Sequence, residues 1–178
     1  DGHSEILLAG RNGRCCRFDE SDARALGRTA SGVRGINIEE DDEVVGMITY
    51  DPTAEDAAAH SILVVSENGY GKRSDFDEYR KTNRGGKGVK TLNITDKTGS
   101  LVAMKNVTDE NDLMIINRSG LTIRMAVSDI RIAGRATQGV RLINIKEGDS
   151  IAAISAVNKS EEDAPVAPVE QANEDNKE

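Results

Sequence analysis

The sequence holds no Trp, two Phe and three Tyr among 178 residues, so any core must be filled by Ile, Val, Leu and Ala. No apolar run approaches the roughly 18 residues that a membrane-spanning helix requires, which excludes that class of protein. The two Cys are adjacent, Cys15 and Cys16. They cannot build a disulfide framework, and a reducing cytoplasm is the expected setting. His3 and His60 have no neighbouring ligands at metal spacing, so no metal site is expected. No initiator Met and no charged-then-apolar leader marks secretion. The chain opens at Asp1 in the middle of a pattern, as expected of a piece of a longer protein.

The net charge of -8 is unevenly divided. Residues 160–178 hold seven acids and one Lys, which leaves 22 basic against 24 acidic residues in the rest. Pro165 and Pro168 punctuate this stretch, and it has almost no bulky apolar side chains. Such a segment buries too little surface to offset its ordering entropy, so a disordered acidic tail is predicted. A tail of that charge, tethered to a body with a basic rim, is expected to compete with a polyanion for that rim or else to stay in solvent.

What the sequence has in abundance is repetition. Three segments align without a gap, residues 6–39, 62–95 and 113–146, and eight positions are identical in all three. Four of these carry Gly or Arg at Gly13/Gly69/Gly120, Arg17/Arg73/Arg124, Arg24/Arg80/Arg131 and Arg28/Arg84/Arg135. The others are Gly32/Gly88/Gly139, Val33/Val89/Val140, Asn37/Asn93/Asn144 and Ile38/Ile94/Ile145. A period near 50 with strand-like content points to a propeller or a related radial array. Each copy reads as four strands: an apolar run buried on both faces, a basic strand after a Gly turn, an alternating strand, and a closing strand. The alternating strands carry Ile36/Ile38, Leu92/Ile94 and Ile143/Ile145; the closing strands are Val44–Tyr50, Leu101–Val107 and Ile151–Val157. The fold class is all-β, with blades at 6–50, 62–107 and 113–157 in a domain of residues 1–159. Propellers usually need four or more blades to close, so three copies imply further repeats upstream or an open array with capped ends.

The segment most suggestive of chemistry runs from Arg80 to Lys90. It carries Arg80, Lys81, Arg84, Lys87 and Lys90, and no acid lies between Tyr79 and Thr95. Gly85, Gly86 and Gly88 let a backbone approach a ligand closely with its N–H groups free, a combination suited to phosphate. Weaker versions recur at Arg28 to Arg34 and at Arg135 to Arg141. A basic loop at one place on every blade would form a stripe around a rim. The alternative is a solvated surface loop whose glycines serve only turn geometry.

Thr82 to Gly88 resembles the gyrase box, the Q-(K/R)-R-G-G-(K/R)-G heptapeptide in the C-terminal domain of the DNA gyrase A protein, at its last five positions. Thr82 and Asn83 depart from the first two, as expected of a box-like loop on a later blade, since the family's box sits on its first. The resemblance covers all three repeats, about residues 6–157. It implies a β-pinwheel, a propeller-like ring whose basic perimeter wraps duplex DNA, and it implies the last three blades plus an acidic tail. It also implies bacterial partners, namely the N-terminal part of the same polypeptide together with the gyrase B protein. ATP and Mg²⁺ would serve the whole enzyme, with no cofactor in this stretch. The C-terminal domain of the topoisomerase IV A protein is the related alternative, and a propeller-like protein-interaction module is a second.

No catalytic machinery is expected here. The family's nucleophile is a Tyr preceded by Arg, whereas Tyr50 follows Thr49, Tyr70 follows Gly69 and Tyr79 follows Glu78. Lys87 precedes Gly rather than Ser or Thr, so Gly85 to Gly88 is not a P-loop. Of Cys15 and Cys16, one is expected to pack inward. The acidic run at Glu39 to Glu43 reads as an exposed loop tip.

Overall fold

The computed structural model describes residues 2–159. The acidic tail, for which disorder is the expectation, lies outside the described residues. Eleven strands and four short 3₁₀ turns make up the rest, with no α-helix among the described residues.

Each repeat opens with its predicted apolar strand: β1 (Glu5–Gly10) in the first repeat, β4 (Ser61–Ser66) in the second and β8 (Asn111–Asn117) in the third. A turn through Gly13, Gly69 or Gly120, all at positive φ, leads into the basic strands β2 (Arg14–Asp19), β5 (Tyr70–Ser74) and β9 (Thr122–Ala126). The closing strands are β3 (Val44–Tyr50), β7 (Leu101–Val107) and β11 (Ile151–Asn158), each antiparallel to the first strand of its own repeat.

The alternating third strand is where the structure departs from expectation. Ile36/Ile38, Leu92/Ile94 and Ile143/Ile145 lie outside any strand. The strands in that region are two-residue pieces just upstream, β6 (Val89–Lys90) and β10 (Val140–Arg141). Neither pairs within its own repeat. β6 adds to β2 of the first repeat, with Arg14 opposite Lys90 and Cys15 opposite Val89, and β10 adds to β5 of the second. The sheets therefore run β3-β1-β2-β6, β10-β5-β4-β7 and β11-β8-β9. The first two blades each take their outermost strand from the next repeat. The third blade has three strands, and the corresponding stretch of the first repeat, residues 32–38, forms none. The reason is steric as well as topological. Gly88, at φ +71, sits where a Cβ would meet the Cys15 carbonyl oxygen at 2.4 Å, and a Cβ on Gly139 would lie 2.5 Å from that of Gly71. Only glycine brings the incoming backbone that close.

The core lies between blades. Ile62 and Val64 of β4 join Leu7, Ile48, Phe76 and Leu101 in one cluster. Leu63 and Val65 turn the other way, into a cluster with Leu113, Ile115, Val127 and Ile151. This accounts for the unbroken apolar run of the central strand: both of its faces are buried. The inner strands β3, β7 and β11 pack against one another in turn, which leaves the borrowed strands and the loops before them at the rim. Cys15 and Cys16 are both buried, rather than one alone.

Candidate nucleic-acid interface

The loop from Thr82 to Gly88 is held on the rim of the first blade by backbone bonds. Thr82 N–H donates to the Arg17 carbonyl (2.8 Å), Gly85 N–H to that of Gly35 (2.8 Å), and Asn37 N–H to that of Gly86 (2.9 Å). Positive φ at Gly85 and Gly88 makes the path possible. Arg14, on β2 of the neighbouring blade, donates from Nε to the Lys87 carbonyl (3.1 Å) and from Nη2 to that of Gly88 (3.0 Å). Beneath the loop lies Cys16, its sulfur 3.9 Å from the Asn83 carbonyl oxygen.

The cations predicted to form the site fall into three physical kinds. Arg84 is half-buried and committed to backbone: Nε donates to the Asp22 carbonyl (2.8 Å) and Nη1 to that of Arg34 (2.6 Å). Arg135 repeats this one blade further on, donating to the carbonyls of Glu78 (2.8 Å) and Lys90 (2.7 Å). Both are clamps that tie one repeat to the one before.

Lys81 belongs to the second kind, the ion-paired. Its Nζ lies 2.7 Å from Asp19 and 3.2 Å from Glu5. The hydrogen bond from Lys81 holds the Asp19 carboxyl well below the usual carboxylate range, and the Asp19 bond in turn raises Lys81. Arg141 also has partners: Nη2 donates to the Tyr70 hydroxyl (2.8 Å), Nη1 to Asn144 Oδ1 (3.1 Å), and the guanidinium lies 5.4 Å from the Tyr70 ring centroid. Lys97 approaches the same ring at 5.4 Å.

The third kind is exposed. Arg28, Arg34, Arg80 and Lys87 are solvent-facing, and no side-chain hydrogen bond or ion pair holds them among the described residues. Lys90 is exposed too, with one bond from Nζ to Asn93 Oδ1 (3.2 Å). Arg80, Arg84, Lys87 and Arg14 surround an open concavity of about 470 Å³ whose floor is the glycine backbone of the loop. Lys87, Lys90 and Arg14 border a second one, of about 500 Å³, with Asn12 and Asn37 and the acids Glu39 and Asp42.

Arg14 therefore touches both concavities, and sequence reasoning missed it. Its repeat counterparts are Tyr70 and Leu121, so comparison of the copies could not single it out. The only available signal was its place next to the Asn12-Gly13 turn.

Three sheets that exchange outer strands, packed around a shared inner edge, define a β-pinwheel. A family model described as the DNA gyrase C-terminal domain, beta-propeller, matches residues 4–51, 60–108 and 111–158, one match per blade. The chain belongs to that family, and its blades are those of the C-terminal β-pinwheel of the DNA gyrase A protein. It is 45% identical over 161 residues to the DNA gyrase A protein of Staphylococcus epidermidis, covering 90% of this chain and 18% of that protein. To the Staphylococcus aureus protein it is 45% identical over 162 residues, covering 91% and 18%. The chain thus spans about a fifth of the length of these relatives. Among solved structures, the C-terminal domain of DNA topoisomerase IV superposes with a TM-score of 0.80 at 25% identity, over 89% of this chain and 48% of that one. The DNA gyrase A C-terminal domain does so with a TM-score of 0.76 at 22% identity, over 86% and 50%.

Proposed function

We propose that this chain binds duplex DNA on its blade rim without reading sequence, and that it bends the duplex as the wrapping element of a DNA gyrase, a topoisomerase. The observation that carries the reading is the Thr82 to Gly88 loop. Its backbone is fixed by Arg14 and Arg84, while Arg80 and Lys87 are left exposed beside it. Fixed glycine backbone with flanking cations suits phosphate oxygens, which position a duplex but carry no base information. Bending 20–30 base pairs by 40–90° costs about 1–6 kcal/mol. A curved row of phosphate contacts, whose affinity comes from counterion release, can offset that cost.

In this reading the chain is non-catalytic and cytoplasmic. Its partners are the rest of the gyrase A protein and the gyrase B protein, which supply strand passage and the ATP and Mg²⁺ chemistry. A protein-interaction role would call for exposed aromatic anchors. The exposed large apolar residues are Leu26, Val33, Val44, Met47, Ile116, Leu121 and Ile132, with no aromatic among the described residues.

The test has two arms. Binding to unrelated duplexes of equal length should give equal affinities that fall steeply with salt. Closed circular DNA relaxed by a nicking-closing enzyme in the presence of the chain should keep a linking-number shift after the protein is removed. Sequence-confined binding, or binding with no shift at saturation, would sink the proposal.

A further inference from the structure

Arginine fills three positions that are identical in all repeats, and the structure gives two of them structural work. Arg17 and Arg73 are buried. Arg17 Nη1 donates to the Phe76 and Tyr79 carbonyls (2.6 and 3.0 Å), and Arg73 Nε to the Ile130 carbonyl (2.8 Å). Arg84 and Arg135 clamp the preceding repeat, as described above. The third series is Arg24, Arg80 and Arg131. All three residues are exposed, and none of their side chains makes a hydrogen bond or ion pair among the described residues.

The fold has no need for arginine at this position. Arg80 and Arg131 stand beside completed blade junctions. Lys81 and Ile132, the residues just after them, bridge to Arg17 and Arg73 of the preceding blade. The Arg131 carbonyl itself accepts from Arg73 N–H (3.4 Å). A neighbouring blade is therefore in place at both, and the guanidinium groups still face solvent. Each of the two lies on the outer edge of a sheet, next to the second strand and away from the packed inner edge. The position recurs once per repeat, at the same point of the sequence. An exposed Arg costs side-chain entropy to immobilise and adds nothing to packing there.

We infer that Arg24, Arg80 and Arg131 form a repeating row of phosphate contacts, one per blade, extending the site beyond the box-like loop to the first and third blades. The inference rests on the DNA-binding reading above. The ligand chemistry is the duplex sugar-phosphate backbone, met by planar guanidinium groups that suit bidentate phosphate contact. The row accounts for the identity of this position across repeats whose loops otherwise differ in charge.

The experiment uses the 178-residue chain, a mixed-sequence DNA duplex, and a titration over roughly 50–200 mM salt. Arg24→Ala, Arg80→Ala and Arg131→Ala should each make the slope of log K against log salt shallower by about 0.9, and the triple variant by about 2.7. Their melting temperatures should match the parent. The Lys variants, which keep the charge, should keep the slope. Arg135→Ala serves as the contrast, lowering the melting temperature through loss of its clamp. An unchanged slope in the triple variant overturns the row, as does a fall in melting temperature with each single change. If the parent chain binds no duplex at all, the DNA reading itself fails, and that result is distinct from an unchanged slope in variants of a parent that binds.

Discussion

Lys72 occupies a position that is Cys16 in the first repeat and Ile123 in the third, and its side chain is fully buried. Its ammonium donates to Ser74 Oγ (3.0 Å) and to the Thr91 carbonyl (2.9 Å). Burial pulls its pKa down to about 8, Glu78 opposing and Arg135 assisting. The folded value lies below the ordinary 10.5, so the unfolded chain binds more protons between the two, and stability contributed by this group rises with pH there. Below about pH 8 the cost of the buried charge is fully present. The unfolding free energy of the parent should therefore gain on that of Lys72→Met as pH rises from about 8 to 10.5. Matched chemical denaturation at both ends of the window checks this, and a constant difference refutes it. The same scale separates Arg84 from Lys87. Arg84→Ala loses two charge-assisted bonds to backbone carbonyls and should cost about 1–3 kcal/mol of stability. Lys87→Ala should stay within about 0.5 kcal/mol, as surface changes do, while weakening duplex binding. The basic character of this loop was legible in the sequence because composition alone shows it. The division of labour within it was not. A guanidinium repeated in every copy looks the same whether it meets a phosphate or a carbonyl one blade away.

Strands one, two and four of each repeat were readable because their signals are local: an apolar run, a Gly turn, a second run. The third was misread for a physical reason. Ile36/Ile38 and their counterparts alternate because they pack against neighbouring hydrophobic clusters, where Ile36 is buried with Cys16 and Phe18 and Leu92 with Leu7 and Ile48. Their backbone is held by loop bonds instead of a ladder: Leu92 N–H donates to the Gly13 carbonyl (3.3 Å) and Leu142 N–H to that of Gly69 (2.8 Å). Exchange between repeats is also invisible to sequence, since each copy carries the same strand inventory whether it keeps or lends one. The turn glycines make the exchange measurable. Gly69 and Gly120 both have positive φ, at 81° and 87°, so Ala strains both backbones alike. A Cβ on Gly69 would also meet the Ile143 carbonyl oxygen at 2.7 Å, whereas one on Gly120 meets nothing within 4 Å. Gly69→Ala should therefore be the more destabilising by about 1–3 kcal/mol, the usual cost of overpacking. Equal losses in urea unfolding would mean that the junction yields freely.

At the scale of the molecule, lending a strand changes where damage is felt. In an ordinary repeat array each unit has its own stability plus an interface term with its neighbour. Here part of the neighbour's own sheet is supplied from outside, because Val140 and Arg141 of the third repeat pair with Gly71 and Tyr70 of the second. Arg73 and Ser74 tie the same two repeats through the Ile130 and Ala133 carbonyls, at 2.8 and 2.7 Å. A lesion in the third repeat's lending segment should accordingly be read in the second blade. Gly139→Val places a branched side chain where even a Cβ lies 2.5 Å from the Gly71 carbonyl oxygen, so β10 must leave the sheet. The third blade keeps its own ladders, β8 with β9 and β8 with β11. Native-state hydrogen exchange should then show β5 losing protection while β8 and β11 keep theirs, because exposed ladder amides open locally at a fraction of the global cost. Protection lost in the third blade alone would mean that each repeat stabilises itself and that the borrowed strand contributes nothing to its host.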